Sequence, residues 1–173
     1  MPFDFYLNIV ASGLLTGLVY GLAALGLSVI FGVVRVVNFA HGEMMVAGMY
    51  GAVLLFAGLG LDPVLSAPVV AALLFAFGYA LQRGLVNRFV ERPEHMQFIL
   101  LLGVATILLN ALLMVFGPDS RGIHVDYAFD AVEIGPLVLD AVRVRAGIGA
   151  IVVAAALFAF FRYSRTGKAI RAC

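Results

Sequence analysis

The sequence predicts an all-α polytopic membrane protein with about five transmembrane helices. Two observations carry this expectation. Of the 173 residues, 64% are hydrophobic and a further 19 are glycine, whereas a soluble domain runs near 45–50% on a comparable count. A globule of this size cannot hide that much apolar surface. In addition, the 11 basic and 10 acidic residues fall in clusters separated by uncharged stretches of bilayer length. A spanning helix needs about 20 apolar residues. An outer-membrane barrel would show segments of about 10 residues with alternating polarity, which this sequence lacks. A net charge of +1 supplies no footprint for nucleic acid, and one cysteine, Cys173, excludes a disulfide scaffold.

The first span lies in the 30 uncharged residues between Asp4 and Arg35. No Lys or Arg precedes it and the apolar run is too long for a signal peptide, so it is read as a retained helix. Gly13, Gly17 and Gly21 recur at every fourth position, which puts small residues on one face and lets another backbone approach closely. Ordinary helix packing, or a helix that slides against its neighbours during transport, both fit. Ser12, Thr16, Ser28 and Thr106 are expected to bond their own helix carbonyls.

Between the first two spans stands Arg35-Val-Val-Asn-Phe-Ala-His-Gly-Glu43, with Arg35, Asn38, His41 and Glu43 inside nine residues. Two crossings consume most of the region from Leu7 to Leu61, leaving little room for a solvated loop. Ionisable residues at membrane depth cost about 2.5–3.5 kcal/mol each on insertion scales and turn toward a cavity or a partner. One reading is a short cytoplasmic turn with solvated anchors. The other is a broken or re-entrant segment near 35–43 that lines a translocation path through Asn38, His41, Gly42 and Glu43.

The next spans occupy the 18 uncharged residues before Asp62, the 20 between Asp62 and Arg83, and the 24 between Glu94 and Asp119. A segment with five acids follows (Asp119, Asp126, Asp130, Glu133, Asp140). Its run from Ile123 to Asp130 alternates like a strand, and Gly135-Pro136 signals a turn, so a small external hairpin or cap is expected near 121–145. The fifth span fills the 16 residues between Arg145 and Arg162. Arg83, Arg88 and Arg92, and then Arg162, Arg165, Lys168 and Arg171, mark cytoplasmic ends. Counting back places Arg35 toward the cytoplasm and the N-terminus outside.

No constellation for catalysis or for a metal appears. His41-Gly-Glu43 matches the H-x-E of zinc deaminases but the P-C-x-x-C partner is missing. An H-E-x-x-H zinc site and a G-x-S-x-G elbow are likewise absent.

The stretch from Gly21 to Glu43 resembles the branched-chain amino-acid ABC transporter permeases, of the shorter membrane-subunit type. Its Asn38-Phe-Ala-His-Gly-Glu43 matches the N-[FM]-A-H-G-[EQ] element that follows the family's first glycine-rich helix. A second match is Arg165-Thr-Gly-Lys-Ala-Ile-Arg-Ala172, similar to the run that opens the family's cytoplasmic loop to the ATPase. The resemblance implies a single permease domain over 1–173, with the ATPase-coupling loop starting at 162–173 and Arg165, Gly167, Lys168 and Arg171 as coupling residues or, equally, as positive-inside anchors. It implies no catalytic residue and no cofactor in this chain, ATP being used by a separate subunit. The implied partners are a second permease subunit in a heterodimer, two ATP-binding subunits, an external substrate-binding protein and the lipid bilayer. The implied setting is the inner membrane of a prokaryote. Leucine, isoleucine and valine are the expected substrates, with urea, short amides or other amino acids as alternatives and a passive channel as a further one. Family members continue for about another hundred residues, so the chain reads as the N-terminal part of a longer permease.

Overall fold

The computed structural model describes residues 3–34, 37–89, 92–135, 137–165 and 167. Five long helices are present: α1 (Phe3–Val34), α2 (His41–Leu59), α3 (Pro63–Gly84), α4 (Glu94–Phe116) and α5 (Ala141–Tyr163). Each is long and apolar enough to cross a membrane. Their side chains carry few internal burials; Leu14, Tyr20, Leu73 and Met114 are all exposed. A helix that is apolar all round and still exposed needs lipid or another subunit around it. The chain is a multi-pass membrane protein. Its contacts divide it into two units, one joining 1–35 to 124–173 and the other holding 36–123.

In the unit of 36–123, α2 and α3 form an antiparallel pair. Gly60 ends α2 in the left-handed region (φ 64°), its N–H bonded to the Phe56 carbonyl at 2.9 Å, the geometry glycine adopts without a Cβ penalty. Asp62 then starts α3. Its carboxylate accepts the Val64 N–H at 2.8 Å, and Pro63 follows as the first helical residue, where its missing N–H costs nothing. The pair is close because Gly48 and Gly51 leave room: a Cβ on Gly48 would lie 3.0 Å from Leu74 Cδ1, and one on Gly51 3.5 Å from Val70 Cγ2. The third helix, α4, runs parallel to α2. Phe39, just ahead of α2, meets Phe98 edge to face at 4.6 Å, and Tyr50 stacks on Phe116 at 4.0 Å.

In the other unit, α1 packs on α5. Gly147 makes this possible, since a Cβ there would lie 2.7 Å from Leu15 Cδ2. Earlier along both segments, the Asn8 side-chain oxygen accepts the Val138 N–H at 2.7 Å. Asn8 precedes Leu15 as Val138 precedes Gly147, so α1 and α5 run parallel and start at the same end. Two short strands, β1 (Ala131–Ile134) and β2 (Leu137–Asp140), pair antiparallel, Val132 opposite Leu139. Gly135 turns between them at φ 62°. Asp140 caps α5, accepting the Val142 N–H at 2.8 Å.

Two boundaries differ from the sequence expectation. The alternating run Ile123–Asp130 is not a strand; it contains a 3-10 turn at Asp126–Phe129. The Tyr127 carbonyl takes the Asp130 N–H at 3.2 Å, and Arg145 covers the Tyr127 ring at 3.6 Å. These local contacts outweigh the period-two pattern. The fifth helix also begins earlier than the uncharged run, because the Asp140 cap admits Arg143 and Arg145 into its first turns. Thr16 and Thr106 do bond their own helix carbonyls, those of Ser12 and Leu102, at 3.0 Å each.

Candidate functional site

Three groups of sequence-predicted residues are placed as follows. Arg35 lies outside the described residues, but 38–43 form a turn running into α2. Asn38 builds the turn. Its side-chain oxygen accepts the Ala40 N–H at 3.1 Å and its carbonyl accepts the His41 N–H at 3.1 Å, the self-bonding that suits asparagine to turns. Ala40 is fully buried and its carbonyl takes the Met44 N–H at 2.9 Å, the first α2 hydrogen bond. His41, Gly42 and Glu43 therefore stand on the first turn of α2, not in a loop. His41 and Glu43 are half-buried and Gly42 is exposed. A carboxylate at Glu43 meets the positive end of the helix dipole. The turn thus brings one acid and one imidazole together at the start of α2.

The glycine stripe of α1 stays open. Among the described residues no atom lies within 4 Å of a Cβ built on Gly13, Gly17 or Gly21. Gly13 and Gly17 instead line a shallow groove of about 600 Å³ with Asn8, Ser12, Thr16, Tyr20 and Arg143. The close approach of α5 falls on Leu15, opposite Gly147, which the four-residue glycine pattern did not indicate.

At the far end of α5 the helix stops at Ser164, whose backbone is extended (ψ 149°). The Ser164 hydroxyl accepts the Gly167 N–H at 2.8 Å, the bond of a helix N-cap, and Arg165 and Gly167 are helical. Gly167 is buried against the end of α5: a Cβ there would lie 2.6 Å from Phe161 Cα and 2.7 Å from the Phe160 carbonyl oxygen. Arg165 is exposed. Lys168 and Arg171 lie outside the described residues.

The family described as "Branched-chain amino acid transport system / permease component" matches residues 9–173. The chain belongs to this family. Among curated relatives it is 28% identical over 180 residues to the high-affinity branched-chain amino acid transport system permease protein BraD of Pseudomonas aeruginosa, covering 97% of this chain. It is 26% identical over 185 residues to the corresponding permease protein LivH of Salmonella typhimurium and of Escherichia coli K12, covering 99% of this chain. The chain spans 59% of the length of these relatives. No solved structure matches it significantly. The matched region includes all five spans except the first turns of α1, and both motifs, 38–43 and 165–172.

Proposed function

We propose that this chain is a membrane-spanning permease subunit of a binding-protein-dependent ABC importer that moves branched-chain amino acids across the inner membrane of a prokaryote. The observation that carries the reading is the family match over 9–173, joined to five membrane-length helices. On this reading the chain pairs with a second permease subunit, and two ATP-binding subunits hydrolyse ATP. An external binding protein delivers leucine, isoleucine or valine. The chain itself performs no chemistry and holds no cofactor. Asn38, His41, Gly42 and Glu43 border the path. The turn capped by Ser164, together with Lys168 and Arg171, meets the ATPase. Alternating access follows from helix repacking driven from both sides.

Reconstitution tests this. The assembled transporter in proteoliposomes should take up leucine only with ATP inside and binding protein outside. Flux without ATP would replace the importer by a passive channel. Uptake of urea or a short amide in place of leucine would keep the importer and change its substrate. Cysteines at 38, 41 and 43, with Cys173 replaced, should react with small water-soluble reagents in at least one transport state; protection in every state would remove these residues from the path. Lys168→Ala with Arg171→Ala should lower ATPase co-purification and uptake while insertion stays normal.

A further inference from the structure

Asn110 is an exposed carboxamide inside the fourth span, His95–Phe116. The span ends six residues further on (116 − 110). At 1.5 Å per residue Asn110 lies about 9 Å inside that end, and Thr106 about 15 Å, near the middle of a hydrocarbon layer about 30 Å thick. Within its own unit α4 buries Gln97, Leu101 and Val104. Thr106 stands about 200° round the helix from Val104, and Asn110 about 40° beyond it. Both therefore lie on the side turned away from the packed face, and both are exposed. A polar side chain left to hydrocarbon at this depth is costly, so such residues mark a partner or a solute path.

The hydrogen bonds select what can meet this face. The Thr106 hydroxyl donates to the Leu102 carbonyl at 3.0 Å, and Asn110 Nδ2 donates to the Thr106 carbonyl at 2.8 Å. A carbonyl only accepts, so these bonds fix which amide atom is the nitrogen and hold both side chains against their own helix. The hydroxyl's only hydrogen and one of the two amide hydrogens are spent. Two oxygen acceptors, Asn110 Oδ1 and Thr106 Oγ1, remain against one amide hydrogen, and among the described residues no donor reaches either oxygen. The backbone of a facing helix cannot supply donors, because its N–H groups are bonded within its own ladder. A carboxylate, itself an acceptor, is disfavoured by such a pair, whereas an ammonium brings three donors and no acceptor. We infer that Thr106 and Asn110 form a neutral acceptor subsite on the solute path that takes an alkylammonium group. This inference rests on the permease reading above, under which that group is the amino group of the transported amino acid.

The experiment uses the assembled transporter in proteoliposomes, supplied with saturating leucine-loaded binding protein. Asn110→Leu should lower the maximal rate of leucine uptake about tenfold or more, while subunit co-purification and stimulated ATPase activity stay as in the wild type. Asn110→Gln, which still presents an amide oxygen, should recover much of the rate. Thr106→Cys, with Cys173 replaced, adds a local probe. Its thiol should react several-fold faster with a cationic alkylammonium thiosulfonate than with an anionic thiosulfonate of similar size, and adding Asn110→Leu should erase that preference. Wild-type uptake by Asn110→Leu, equal rates with the two reagents, or a Thr106→Cys thiol protected in every transport state would overturn the subsite and leave the permease reading intact. Loss of subunit co-purification on Asn110→Leu would assign this face to a helix contact instead and overturn the subsite. A wild-type transporter that takes up no leucine would overturn the permease reading itself.

Discussion

Gly167 shows how much one residue constrains. The space its Cβ would need is taken by the backbone of Phe160 and Phe161, which cannot step aside as a side-chain tip does. Gly167→Ala should therefore destabilise the end of α5 by about 1–3 kcal/mol, read as a lower melting temperature of the detergent-purified protein. Ser164→Ala, which removes only the cap, should cost about 1 kcal/mol. Asn38 makes a different demand, for an acceptor and not for space. Asn38→Asp should keep the turn because its oxygen still accepts the Ala40 N–H, whereas Asn38→Ala should cost about 0.5–1.5 kcal/mol. Both motifs stood out in the sequence because polar residues are scarce between apolar runs. Their local roles did not. That Asn38 folds its own turn, and that Gly167 is set by a close approach, depend on backbone geometry that composition does not encode.

At the scale of elements, packing is carried by glycine on one helix against a branched side chain on the next. Helices in lipid gain from close van der Waals contact, so a missing Cβ is where they meet. Gly147→Leu should push α5 off Leu15 and cost about 1–3 kcal/mol. The double variant with Leu15→Ala should recover part of that loss, since the two positions share one volume; equal melting temperatures for the single and double variants would show that the helices do not meet there. The existence of all five helices was legible from the charge gaps. Helix ends were less so. Asp62 and Asp140 act as caps, and a cap reaches past the apolar run to recruit polar residues, as Asp140 recruits Arg143 and Arg145. The glycine pattern in α1 was equally visible, yet spacing along one helix does not say which face a distant helix takes. Here the α5 contact falls between those glycines, at Leu15.

For the whole molecule, the parallel course of α1 and α5 fixes a relation that charge counting reached only by assuming each helix crosses once. Asn8 and the β1–β2 hairpin belong to the same end. Single cysteines replacing Asn8 and Asp130 should be labelled by an impermeant maleimide from one side of the membrane, and those replacing Arg88 and Arg165 from the other. Labelling of positions 8 and 130 from opposite sides would contradict the α1–α5 pairing. Counting charges located the spans because each long gap is one crossing. It could not show that the first and last of these helices pair, since Leu15 and Gly147 lie 132 residues apart in the chain (147 − 15).

That separation sets the order in which the protein can be made. The partner surface for α1 lies on α5, beyond the whole of the 36–123 unit. At about 5–20 residues per second of synthesis, α1 waits on the order of ten seconds in the membrane before α5 emerges. During that interval Leu15 lacks Gly147, its contact on α5, while α2, α3 and α4 are already made. Within the unit of 1–35 and 124–173, the contact of Leu15 with Gly147 and the bond of Asn8 to Val138 therefore form only once the later segment has been made.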